Sequence, residues 1–246
     1  MNSVALRILL GDRAKYVGLI FGIAFSTMLM SNQTSIFVGL MLRTANQILD
    51  AREADIWVMD PHVDYVDEIE PMTDTQLARV RGVDGVDWAV PFFKGLTVTH
   101  TRDGILQQVI LLGVDDATLT GVTPHLALGS VENLKQPDAM IIDRAGYQYM
   151  WPGEKPGLGK VLELNDHRAV IAGISDASAP FATYPIVYTK YSSALNYIGR
   201  TRKQMSFVLV HARPQVDPHV LAHRISANCR TSSPAGSSSA SPSPAR

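Results

Sequence analysis

The chain of 246 residues is nearly without cysteine, and Cys229 is the single one. No intramolecular disulfide can form, so the fold must be held by packing alone. That suits a cytoplasmic protein and an outside domain equally. Nothing around Cys229 lowers a thiol pKa in the way a nucleophile requires, so it reads as a structural residue. Net charge is also lacking. Lys and Arg number 22 against 23 Asp and Glu, a balance of −1. This excludes nucleic acid as a partner, because phosphate binding needs a clear basic excess. A second long apolar run is missing too. After residue 42 nothing comparable recurs, so the chain has one membrane segment, and the rest is long enough to bury a core.

Catalytic signatures are absent as well. There is no G-x-S-x-G and no serine with an evident base partner. The stretch "WPGEKPGLG" lacks the Lys-Ser/Thr ending of a phosphate-binding loop and opens no helix, so it reads as a plain loop. His219 and His223 stand four apart on a predicted helix, but "HVLAH" lacks the glutamate of a zinc protease and no third ligand is evident. The carboxylates of "HVDYVDEIE" lack calcium-loop spacing and read as a solvated edge. Neither a metal nor a cofactor is expected.

What the chain does have is "YVGLIFGIAFSTMLMSNQTSIFVGLML", residues 16–42, without one charge. Its length suits a transmembrane helix and exceeds the apolar core of a signal peptide. Arg7, Arg13 and Lys15 precede it, while the far flank is mixed in sign. Positive charge stays inside, so residues 1–15 are expected in the cytoplasm and the remainder outside. Ser31 lies about 22 Å along the helix from Tyr16, still short of the roughly 30 Å hydrocarbon thickness. Polar groups at that depth should face protein or water; a later entry or a tilt would instead leave "SNQTS" at the interface. Gly18, Gly22 and Ser26 form a small stripe suited to close helix packing. The candidate partner face is therefore Gly18, Gly22, Ser26, Asn32 and Gln33. The apolar period continues through Ile36, Leu40, Ala45, Ile48 and Leu49, which predicts one unbroken helix leaving the membrane.

Beyond it, "ADIWVMD" predicts a strand, and "TDTQLARVRG" a short helix capped at Thr73 or Asp74 and stopped at Gly82. Two strands meeting at Asp103-Gly104 predict a hairpin, and another hairpin turns at Asn165-Asp166. "DAMIIDRAGYQYMW", "YPIVYTKYSSALNYI" and "SFVLVHARPQVDPHVLAHRIS" each predict a strand followed by a helix. The fold class is α+β: a transmembrane helix, then a two-lobed domain. One α/β subdomain takes residues 43–114 and 183–227, with a strand-rich lobe inserted at 115–182. Residues 228–246, rich in Ser, Pro and Ala, are expected to be a disordered tail.

Four stretches, "SIFVGLMLRTANQILDAREADIWVMDP", "VRGVDGVDWAVPFFKG", "QQVILLGVDDATL" and "QPDAMIIDRAGYQYMWPGE", resemble the MacB/FtsX-type permeases of ABC transporters, especially DevC-like members. The resemblance covers about residues 1–227. It implies a MacB-like periplasmic core domain carried outside the inner membrane by one helix, with three more membrane helices after it. It further implies a mechanical role in efflux: two permease copies pair in the lipid bilayer, a separate ABC ATPase subunit hydrolyses ATP, and a membrane fusion protein meets the outside domain. The family's later helices do not appear, and the abrupt change at the tail suggests a truncated or frameshifted product. The alternative reading is a single-pass, membrane-anchored binding or sensing domain. An extracytoplasmic enzyme comes last.

Overall fold

A computed structural model describes residues 13–50, 53–60, 63, 71–100, 104–176, 184–199, 204–230 and 239–242. The chain divides into two units, Met1–Ala45 and Asn46–Arg246. The first is dominated by helix α1, Arg13–Asp50, unbroken over 38 residues and so about 57 Å long. Its stretch Ala14–Gly39 is long and apolar enough to cross a membrane. Of the expected cytoplasmic segment, residues 13–15 are the first turn of α1, and the rest lies outside the described residues.

The second unit is a mixed sheet with helices. Its strands are β1 Ile56–Met59, β2 Met72–Thr73, β3 Val86–His100, β4 Leu106–Val114, β5 Leu126–Gly129, β6 Ala139–Asp143, β7 Val161–Leu164, β8 His167–Ser175, β9 Ile186–Lys190, β10 Gln204–Met205, β11 Phe207–Ala212 and β12 Ser239–Pro242. Its helices are α2 Asp74–Arg81, α3 Arg144–Met150, α4 Tyr191–Ile198 and α5 Pro218–Arg230. The main sheet runs β12-β1-β11-β3-β4-β9-β6-β8-β5, and β7 pairs with both β3 and β8. β2 and β10 form a separate two-stranded ladder.

Local chemistry explains several boundaries. At the start of α2 the Thr73 N–H donates to Gln76 Oε1 at 2.9 Å, half of a capping box. The same helix stops where the Gly82 N–H reaches back to Ala78 O and Arg79 O. α4 ends on Gly199 in the left-handed region, φ +68°, as helices commonly do. Asn165 and Asp166 both have positive φ, 47° and 65°. They make a two-residue turn that brings Leu164 opposite His167.

β3 is the spine. Its first half pairs with β11, Val90 opposite Leu209 and Phe92 opposite Phe207. Its second half pairs with β4, from Phe93 opposite Gly113 to His100 opposite Leu106. At the fork Ser206 replaces a ladder pair: the Lys94 N–H donates to Ser206 Oγ, and Ser206 Oγ donates to Lys94 O. Alternation along the strands then builds a core on each face of the sheet. One face carries Ile56, Val58, Phe93, Leu111, Ile142, Val187, Val208 and Val210, and α2, α3, α4 and α5 supply Val80, Tyr147, Ala194 and Leu221 to it. The other carries Trp57, Phe92, Ile110, Leu112, Ile141, Ile186 and Leu209, with Leu119 and Leu134 from the connections.

Two features were not foreseen from the sequence. The division at 114/115 and 182/183 does not follow the strand pairing. β9 lies between β4 and β6, parallel to the first and antiparallel to the second, so residues 94–114 and 184–199 share one sheet with the supposed insert. Such long-range parallel pairing leaves no local trace. The tail is helical as far as Arg230, and residues 239–242 pair antiparallel with β1 at the sheet edge. Backbone hydrogen bonds at an open edge need no apolar side chain. The turn residue Asp103 and the acidic stretch 64–70 lie outside the described residues.

Candidate functional site

The five residues singled out on the apolar helix all lie on α1, and all are exposed. At about 100° per residue, with Gly18 as origin, Gly22 stands at about 40°, Ser26 at about 80°, Gln33 at about 60° and Asn32 at about −40°. They share one face roughly 120° wide. A Cβ added at Gly18 or Gly22 meets nothing within 4 Å. The Asn32 and Gln33 amides make no side-chain hydrogen bond among the described residues. The face is therefore assembled by the helix alone and meets no other segment among the described residues.

The hydroxyls behave differently. Thr27 Oγ1 donates to Ile23 O at 2.8 Å, Thr34 Oγ1 to Met30 O at 2.8 Å, and Ser35 Oγ to Ser31 O at 2.9 Å. Each bonds back one turn, so no outside partner is needed. Thr27 and Thr34 fall at about 180° and 160°, opposite the glycine stripe. The polar run thus separates into hydroxyls that can meet lipid and amides that require protein or water.

In the second unit, polar side chains work as clips between segments. Asp143 caps α3: its Oδ2 accepts from the Gly146 N–H at 3.0 Å and its Oδ1 from the Ile186 N–H at 2.8 Å. Burial raises its carboxyl above the ordinary range, against the pull of those bonds. Asp55 Oδ2 meets His211 Nδ1 at 2.6 Å and accepts from the Ala212 N–H at 3.0 Å, and Trp88 stacks on the His211 ring. No group of three metal-ligating side chains occurs among the described residues.

A cleft of about 550 Å³ opens beside α3, lined by His100, Met150, Trp151, Glu154, Lys160 and Glu163 among others. Tyr147 on α3 and Trp151 at its C-cap hold their rings 4.9 Å from each other. The Lys160 ammonium sits 4.9 Å from the Trp151 ring centre and 5.4 Å from that of Tyr147, and is paired with Glu154. The sequence reading passed over this arrangement as the loop "WPGEKPGLG". The available signal was an aromatic pair at helical spacing followed directly by acidic and basic residues.

The model of one protein family, the MacB-like periplasmic core domain, matches residues 17–228. The chain belongs to this family. The match takes in most of α1 as well as the domain, so the MacB-like resemblance of the sequence is borne out. The mixed α/β class with one N-terminal apolar helix is likewise as expected. Among solved structures, the periplasmic region of MacB from Actinobacillus actinomycetemcomitans superposes with a TM-score of 0.56 at 14% identity, covering 80% of this chain and 94% of that one. The extracellular domain of YknZ, described as a noncanonic ABC-type transporter from Gram-positive bacteria, superposes with a TM-score of 0.55 at 14% identity, covering 76% and 98%. At that identity the likeness is one of fold. No curated protein matches the chain in sequence. Within the MacB-like fold, the Tyr147–Trp151 cleft belongs to the second-half sheet of β3, and the amide face belongs to the helix.

Proposed function

We propose that the chain is the permease subunit of an ABC-type efflux system and passes ATP-driven motion from the membrane to an extracytoplasmic domain. The observation that carries this reading is a family match running from residue 17 to 228, over an unbroken helix and the domain beyond it. A helix without a break can transmit displacement; a flexible tether cannot. The N-terminus lies in the cytoplasm and the domain on the outer side of the inner membrane, in accord with Arg7, Arg13 and Lys15 before the span.

In this reading the face of Gly18, Gly22, Ser26, Asn32 and Gln33 meets a second copy of the chain or neighbouring membrane helices. The ATPase is a separate subunit. A membrane fusion protein docks on the exposed apolar surface of the domain. There the β3–β4 hairpin leaves Leu96, Ile105 and Leu106 exposed, with Tyr184 nearby on the entry to β9. A single-pass sensing domain shares the topology but needs no ATPase.

Two measurements decide. Protease added to intact spheroplasts should digest the domain and spare an N-terminal tag; protection of the domain would overturn the orientation. Affinity purification from the native membrane should bring down an ABC ATPase. Recovery of the chain without one, under conditions that retain a known permease–ATPase pair, favours the sensing domain.

A further inference from the structure

We propose that the Tyr147–Trp151 platform, together with Glu154, is a binding site for organic ammonium compounds, in which Lys160 is an internal stand-in for the ligand. This goes beyond the permease reading and does not rest on it. The platform already holds an ammonium group. Lys160 Nζ lies within about 6 Å of both ring centres, the range over which a cation is attracted to a ring face. Glu154 supplies the counter-charge.

The walls are firm and the stand-in is loose. Tyr147 is fully buried, and its hydroxyl donates to Lys155 O and accepts from the Gly157 N–H, fixing the ring against the loop. The backbone around Lys160 is pinned to β8: the Gly159 N–H donates to Ile171 O at 2.7 Å, and the Ile171 N–H donates to Lys160 O at 2.8 Å. Trp151 lines the cleft directly, and the Lys160 ammonium lies over both rings. The Lys160 side chain is partly in water already, 26% exposed, and its four-carbon stem can swing the ammonium outward at little cost.

The cleft in front defines the ligand. Its volume of about 550 Å³ lies within the 300–1,000 Å³ usual for small-molecule sites. Met150, Val161 and Leu162 offer an apolar wall, while Glu163 adds a second carboxylate. An anion would meet two carboxylates and an ammonium already engaged. A cation with an apolar body would inherit the rings and Glu154, and would cover the apolar wall that Lys160 cannot reach.

The test uses the full chain in phosphatidylcholine nanodiscs, labelled with 5-fluorotryptophan at Trp57, Trp88 and Trp151. The probe is benzyltrimethylammonium, read by fluorine NMR. A saturable shift is expected in the one resonance that Trp151→Phe removes. Lys160→Met, which takes away the competing ammonium, should tighten binding by about tenfold, and Glu154→Gln should weaken it by about tenfold. If Lys160→Met disturbs the Trp57 and Trp88 resonances, Lys160→Gln makes the same comparison. The proposal is overturned if no saturable shift occurs, if neutralising Lys160 weakens binding, or if benzenesulfonate shifts the resonance as strongly as the cation.

Discussion

The apolar helix and the sheet domain satisfy their polar groups in opposite ways. On α1, Thr27, Thr34 and Ser35 each bond four residues back along the same helix. In the domain, Thr99 Oγ1 donates to Glu163 O, Thr189 Oγ1 to Ala139 O and Ser206 Oγ to Lys94 O, across 64, 50 and 112 residues. The helix closes its own accounts locally and leaves its amides for someone else. The domain binds distant segments to one another. Changes on the helix should therefore be read in association, and changes in the domain in stability.

The strongest test of that contrast is Phe207→Ala. Phe207 is fully buried and meets Trp57 at 5.4 Å and Phe92 at 6.4 Å. The substitution should cost about 3–5 kcal/mol, measured by denaturant unfolding followed through tryptophan fluorescence. A comparable loss of self-association in the membrane would blur the comparison.

Asp143→Asn is next, at about 1–3 kcal/mol, because one of the two buried N–H groups loses its acceptor. Its pH dependence sharpens the point. The folded carboxyl is raised above its ordinary 3.8, chiefly by burial. The neutral acid is therefore favoured in the folded state, and the stability it contributes is lost as pH rises through the raised value. The deficit of Asp143→Asn should be greatest below pH 3.8 and shrink toward neutrality. A deficit that grows with pH refutes the assignment.

On α1, Gly22→Leu together with Asn32→Leu should weaken self-association by about 0.6–2 kcal/mol, read by crosslinking or energy transfer in nanodiscs. Domain unfolding should stay where it was. Unchanged association removes the partner face from consideration. The smallest effect belongs to Arg144→Ala. The ion pair of Arg144 with Asp176 is two-pronged, at 2.6 and 3.0 Å, but both side chains are about half exposed. Its loss should cost only about 0.2–1 kcal/mol, and less in high salt.

Legibility in the sequence followed the same divide. Features set by neighbours in the chain were readable: the uncharged run that becomes α1, the helix start at Thr73 or Asp74, the Asn165-Asp166 turn, and the strand-then-helix units at Ala139 and Ile186. Features set by distant partners were not. Nothing in "YPIVYTK" says that β9 slots between β4 and β6. The Lys160–Trp151 contact was hidden because a Gly- and Pro-rich loop brings together residues that no periodicity connects. That Gly18, Gly22, Ser26, Asn32 and Gln33 lie side by side follows from 3.6 residues per turn alone.

The division of β3 between two neighbours has a consequence during synthesis. Its first half waits for β11, and Ser206 emerges 112 residues after the Lys94 it clasps. At 5–20 residues per second that gap lasts roughly 6 to 22 s. Throughout it, the ribosome or translocation channel delivers Trp57, Val90 and Phe92 without the strand that covers them.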